Sequence, residues 1–320
     1  MAELPELELL KPILPLIDEL GHVTQLGEVQ VKAERFPIYS LRLGPDDPSM
    51  PTFGLFGGVH GLERVGSHVV INYLIPLLKQ LLWDRNLQRL FEEVRLVSIP
   101  IVNPGGMYLG QRSNPNGVDV MRNAPIEGRE EGSPLVSGQN ISPLLPWYRG
   151  EPHKEMELET QILVDFVKKE LLPSRFALSL DIHSGFGMRD RIWYPYSRTS
   201  KAFPYTPFIQ EFKSELKEVH PFHIYKIEPQ TQSYVIHGDP WDYLFDLHER
   251  DPEKDKKFYV PFCLEMGSWT WLRKNPKQLF SRFGIFNPIL PHRYKRIMRR
   301  HRGLLDFMKL VAFNHEEWRG

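Results

Sequence analysis

The stretch PTFGLFGGVHGLERVG, residues 51–66, decides how the rest of this chain is read. Its first half is apolar and runs into two glycines, the profile of a buried strand. RVGSHVVINYLIPLLKQLL (64–82) follows, with Val65, Val69, Tyr73, Leu77 and Leu81 at helical spacing. A strand therefore turns into a helix around His60–Glu63, and Pro76 predicts a bend or an early end to that helix. A histidine at a strand's end and a glutamate three residues later, in the first helical turn, can converge on one point.

The same alternation continues outward from this junction. Residues 1–35 open with a helix and precede a strand-like FPIYSLRLG (36–44). EVRLVSIPIVNPGG (93–106) reads as a second buried strand running into a turn. A polar loop region, 104–150, leads to a helix around EMELETQILVDFVKKELL (155–172). RFALSLDIHSG (175–185) is a third strand. A helix near 205–219, a strand at FYVPFCLEMGS (258–268) and a helix near 293–312 complete the set. Strands alternating with helices predict an α/β fold, a mixed and mostly parallel central sheet with helices on both faces. In such folds function gathers past the carboxyl ends of the strands. GGVHGLE, DIHSG and CLEMGS all stand there. No linker divides the chain, so the expectation is one catalytic domain over 1–320, with residues 1–35 as an N-terminal extension packed on it.

Composition excludes several classes. Lys plus Arg equals Asp plus Glu at 40 each, which gives no overall field for nucleic acid or an anionic membrane. The single cysteine, Cys263, excludes an intramolecular disulfide and a CxxC metal site. MAELPELELL lacks the basic-then-apolar profile of a signal peptide, and no apolar run approaches a membrane span. The expectation is a soluble, cytoplasmic protein that engages neither nucleic acid nor membrane. The 28 prolines, many in loops such as GPDDPSMP and SPLLPWYRGEP, suggest long surface connections over the scaffold.

A hydrolytic zinc site takes about three protein ligands and leaves one position for water. His60 and Glu63 supply two, and His183 in DIHSG is the natural third. Taken singly, each is more often a surface residue or a helix cap than a ligand. Their joint placement at strand ends beside glycines favours the metal. The other histidines compete poorly. His220 and His223 read as exposed helix-end residues, His292 and His301 sit in a basic helix, and His68 suits packing. H-E-x-x-H is absent.

These residues resemble, in order along the chain, those of the zinc metallocarboxypeptidases of the carboxypeptidase A type. GGVHGLE resembles the H-x-x-E ligand pair of that family. VNPGGMYLGQRSNPNGVDVMRNAP resembles its N-P-x-G turn, arginine and GVDLNRNF run. YRGEPHKEMELETQIL resembles a loop-to-helix segment, DIHSG the segment of the third ligand, and CLEMG the strand of the catalytic glutamate. The series spans about residues 52–270. The resemblance implies that His60, Glu63 and His183 hold one Zn²⁺ and that Asp119 orients a ligating imidazole. It implies Glu265 as general base, its pKa raised by an apolar strand, and Arg112 as the oxyanion's partner. Arg122 would grip a substrate carboxylate through its planar fork. Tyr234, in TQSYVIHGDPWDY, resembles the family's mobile tyrosine, with a plain core aromatic as the equal alternative. Asp239 would line the pocket for a basic or amine-bearing terminal side chain.

The family's asparagine before the carboxylate-gripping arginine is Met121 here, which points to altered specificity. Part of the run also resembles murein-peptide amidases. The leading function is therefore hydrolysis of a peptide or peptide-like amide by metal-activated water, as in a carboxypeptidase. The alternatives are an N-acyl amino acid deacylase of the succinylglutamate desuccinylase and aspartoacylase type, and an inactive binding protein on the same fold. The basic HRYKRIMRRHRG (292–303) reads as an amphipathic helix with a solvated face.

Overall fold

Eight strands form one sheet: β1 (Gly21–Val31), β2 (Glu34–Leu43), β3 (Thr52–Gly57), β4 (Arg95–Ile99), β5 (Ala177–Ser184), β6 (Arg191–Tyr194), β7 (Lys226–Pro229) and β8 (Tyr259–Met266), in the spatial order β1-β2-β4-β3-β5-β8-β6-β7. The computed structural model describes residues 4–129, 132–133 and 135–318. The four central strands β4, β3, β5 and β8 run parallel, and antiparallel pairs join β2 to β4, β1 to β2 and β6 to β8. Every residue of β3, β4, β5 and β8 is buried. That is why these strands read as continuous apolar runs instead of alternating ones.

The helices are α1 (Pro5–Leu10), α2 (Leu14–Leu20), α3 (Arg64–Leu81), α4 (Arg85–Glu93), α5 (Pro104–Leu109), α6 (Leu158–Glu170), α7 (Thr206–Val219), α8 (Pro240–Glu249), α9 (Trp269–Lys274) and α10 (Pro291–Phe313). Helix α3 packs on β3 and β5, and α10 packs on α3. Among the described residues no single helix is long and apolar enough to cross a membrane.

Three expectations need correcting. Helix α3 runs through Pro76 to Leu81 rather than ending early. A proline inside a helix costs about 3 kcal/mol, but Tyr73, Leu74, Leu77, Leu78 and Leu81 are buried around it. At roughly 1.5–3 kcal/mol for each large apolar side chain, that burial outweighs the missing hydrogen bond. Residues 1–35 are not simply an extension, because β1 is the sheet's edge strand over 21–31. Its register shifts between Gln25 and Gly27, a bulge that scrambles the period-2 pattern and hid it from sequence. The third concerns α8. Its Asp239 accepts from the backbone N–H of Trp241 at 2.7 Å and of Asp242 at 3.2 Å, with Pro240 opening the helix. Asp239 is thus an N-cap followed by proline, and it does not border the cavity that holds the His-Glu-His set.

Candidate active site

The turn after β3 is built by glycine. Gly58 has φ +67, and a Cβ there would lie 2.3 Å from Met107 Cε and 2.4 Å from Ser67 Oγ. At Gly66 a Cβ would lie 2.2 Å from the Ile182 carbonyl oxygen, so only glycine lets the start of α3 press against β5. That approach brings Glu63, the residue before α3, to the end of β5. Its Oε2 accepts from the Ser184 backbone N–H at 2.9 Å and lies 3.0 Å from His183 Nδ1. Its Oε1 lies 2.9 Å from His60 Nδ1. The two Nδ1 atoms are 3.2 Å apart. His60, Glu63 and His183, each 3% exposed, thus offer three ligand atoms within 4.8 Å of one another.

Both imidazoles are held from behind. His60 Nε2 lies 3.0 Å from Asp119 Oδ1, and His183 Nε2 lies 2.6 Å from Asp181 Oδ2. Carboxylates accept, so each Nε2 donates, and with an ion bound each Nδ1 would present its lone pair to the shared point. Trp241 Nε1 donates to the same Asp181 oxygen at 2.9 Å. Asp181 was not singled out in the sequence, although it stands two residues before His183 on the same strand and so on the same face. Burial works against a charge at His183, but Asp181 and Glu63 more than offset it and raise its pKa well above the usual imidazole value. Burial likewise opposes ionisation of Glu63 and Asp119. His60 and His183 hold Glu63 below the ordinary carboxylate range, and Arg112 and His60 hold Asp119 below it. The field at this point selects positive charge. Converging lone pairs in a set of two imidazoles and a carboxylate fit zinc: a tetrahedral ion at about 2.0–2.1 Å spaces its ligands roughly 3.3 Å apart.

Glu265 stands on β8 in register with His183 on β5. It is 7% exposed and accepts from the Phe186 backbone N–H at 2.9 Å. Burial first, then the Glu63 carboxylate, push its pKa up to about 8, with His183 pulling the other way. Arg112 donates from Nε to Asp119 Oδ2 at 2.8 Å and from Nη1 to Glu63 Oε1 at 3.1 Å. Burial would lower its pKa, but those carboxylates raise it above the ordinary guanidinium value.

One cavity of about 540 Å³ collects these groups. His60, Glu63, His183, Arg112, Arg122, Tyr234 and Glu265 all border it; Asp239 does not. Its remaining wall is apolar, from Met121, Trp147, Phe186, Trp193, Trp269 and Phe286 among others. Arg122 is buried, with Nε and Nη2 donating to the Val136 carbonyl and Nη1 to that of Met121. Three of its five N–H groups are so used, which fixes the plane of the fork. Tyr234 packs edge-on to Trp193, ring centroids 5.9 Å apart, and against Phe186 at 5.6 Å; burial pushes its hydroxyl up to about 12. Asn287 also escaped sequence reading. Its Oδ1 accepts from the Val65 N–H at 2.9 Å and its Nδ2 donates to the Leu62 carbonyl at 2.7 Å, so it pins the ligand turn from both sides.

The mixed sheet with a His-Glu-His set past its strand ends matches the fold of the metallocarboxypeptidases. The sequence profile of the zinc carboxypeptidase family matches residues 22–252, and the chain belongs to that family. Glu265 lies beyond the matched span. The catalytic chain of rat carboxypeptidase N is 24% identical over 213 residues, covering 60% of this chain and 44% of that protein. Human carboxypeptidase D is 27% identical over 121 residues, covering 34% of this chain and 9% of that protein. The chain thus spans less than half the length of these curated relatives. Among solved structures, bovine thrombin-activatable fibrinolysis inhibitor in complex with tick carboxypeptidase inhibitor superposes with a TM-score of 0.66 at 16% identity, covering 98% of this chain and 96% of that one. Carboxypeptidase A from Helicoverpa armigera gives 0.55 at 20% identity, covering 81% of this chain and 62% of that one.

Proposed function

We propose that this chain is a zinc-dependent carboxypeptidase that removes a C-terminal residue with an apolar or aromatic side chain. The observation that carries the reading is the meeting, in one largely apolar cavity, of a His-Glu-His donor set with Glu265, Arg112 and Arg122. His60, Glu63 and His183 would hold the ion, which when bound supplies Lewis acidity to a water and to the scissile carbonyl.

The chain's own residues supply the remaining steps. Glu265 takes a proton from the attacking water and passes it to the leaving amine, and a buried carboxylate with a raised pKa suits both halves of that transfer. Arg112, held by Asp119 and Glu63 at the edge of the cavity, would stabilise the developing oxyanion. Arg122 keeps N–H groups for a terminal carboxylate, and Tyr234 closes the cavity's side. Met121 replaces a polar donor beside Arg122, so the carboxylate is held through the guanidinium with less help. Apart from Glu63 and Glu265, no carboxylate borders the cavity among the described residues, which argues against a basic terminal side chain.

The test is hydrolysis of blocked dipeptides by the zinc-loaded protein, with N-acyl amino acids assayed in parallel. Glu265→Gln should lower kcat by about 10²–10⁴-fold while leaving zinc content unchanged. Faster cleavage of acyl amino acids than of dipeptides would point to the deacylase instead, and an unaffected Glu265→Gln variant would refute the assigned base.

A further inference from the structure

Away from this cleft, charge is distributed very unevenly. The chain as a whole is balanced, yet residues 266–305 contain ten Lys and Arg and no acidic residue. Helix α10 carries much of this excess. Arg293 stands in its first turn, where the helix dipole disfavours a cation, and Arg296 has Arg293 three residues before it and Arg299 and Arg300 three and four after it. A helix selected for stability alone would intersperse glutamates here.

These cations do not merely coat a ridge. A cavity of about 530 Å³ opens between the start of α10, helix α9 and the loops at 188–190 and 223–225. Arg189, Lys274, Arg293, Arg296 and Arg300 border it, and Asp190 is the one carboxylate among its described lining residues. Asp190 is already committed: its Oδ1 accepts from the Gly267 N–H at 2.9 Å and its Oδ2 from Arg300 Nη1 at 3.2 Å. Arg293 donates to the Trp271 carbonyl at 2.8 Å. The side chains of Arg189, Lys274 and Arg296 have no hydrogen-bond or ion-pair partner among the described residues and are exposed. Trp271 and Ile297, both buried, give the cavity an apolar floor.

We propose that this cavity is a second ligand site, separate from the catalytic cleft, that binds a small multivalent phosphate-bearing anion. Five cations from three separate parts of the chain face one concavity, so several phosphoryl groups can be met at once, and guanidinium forks match phosphate oxygens. The volume lies within the range of small-molecule sites. Convergence into a cavity distinguishes this arrangement from a flat basic face for a membrane or a nucleic acid. Inorganic polyphosphate and a nucleoside triphosphate share the required chemistry, and the apolar floor is where they would differ.

Calorimetric titration of the purified full chain with inorganic tripolyphosphate and with ATP, at low salt, tests this. Saturable one-to-one binding is expected, weakened by about tenfold in the double variant Lys274→Gln/Arg296→Gln. Both residues are exposed, and an unchanged thermal midpoint would confirm that the variant is folded. Tighter binding of ATP assigns the floor to the base, whereas equal binding assigns the site to the phosphate chain alone; either supports the site. No binding of either anion, or equal binding by wild type and variant, overturns it. So does stronger capture of duplex DNA or phosphatidylserine vesicles that the double variant abolishes, since the basic face would then serve a macromolecule.

Discussion

Exchanging the substrate's terminal phenylalanine for lysine is the sharpest probe of the cavity. A phenylalanyl ring buried against Phe186, Trp193, Trp269 and Phe286 gains roughly 2–3 kcal/mol over an exposed one. The lysine stem recovers about half of that. Its ammonium would enter a wall where Glu63 and Glu265 are the only described carboxylates, both at the reacting centre. The penalty is capped, because the amine can shed its proton: a fall in pKa from about 10.4 to 7 costs about 4.6 kcal/mol. If the ammonium instead bends back toward solvent, about 2 kcal/mol remains. The total difference is then about 3–6 kcal/mol, or roughly 10²–10⁴ in kcat/KM at 1.4 kcal/mol per decade. Blocked Gly-Phe and Gly-Lys dipeptides, compared on the zinc-loaded protein under one set of conditions, measure that ratio. Equal rates, or a preference for lysine or arginine, would mean that an acidic group reaches the terminal side chain and would refute the cavity argument.

Asp181→Asn should loosen the His183 imidazole and weaken zinc binding by roughly 10–100-fold in competition with a chelator, with circular dichroism unchanged. Met121→Asn should lower KM for dipeptides several-fold, by about 1 kcal/mol for one added hydrogen bond to the substrate carboxylate; an unchanged KM would mean the position does not reach the substrate. His301 predicts an acid-dependent stability. Burial lowers its pKa to about 4, with Asp190 opposing and Arg300 assisting, and Tyr225 hydroxyl lies 3.0 Å from its Nδ1. Between about pH 6.5 and 4 the unfolded chain binds a proton that the folded chain refuses, so stability is full above that window and falls as pH drops through it. Urea unfolding at pH 7.5 and 4.5 should show roughly 2–3 kcal/mol more loss in the wild type than in His301→Gln.

Much of the site was legible because its chemistry sits at punctuated places. Glycines flank His60 and His183, and a buried strand end plus a helix start leaves few positions for Glu63. CLEMGS stood out as the end of an apolar strand, while the role of Glu265 came from the family resemblance. What escaped has physical causes. Asp181 has no glycine or turn beside it to mark it, although strand periodicity puts it on the same face as His183. Asp239 was misread because an Asp-Pro-Trp helix start and an acidic pocket residue look alike until the backbone N–H groups are seen to claim the carboxylate. Strand β1 was lost to its bulge, and β6 and β7, four residues each, are too short to show a period. Asn287 acts across more than two hundred residues, a relation that no local pattern encodes.

That last tie has a bearing on how the protein is made. The turn that carries His60 and Glu63 is fastened by a side chain 222 to 225 positions downstream, and contacts of such long range form late. That clamp on the ligand turn can close only once residue 287 has been made, so a chain cut short before it would carry the same ligands on a turn without this tie.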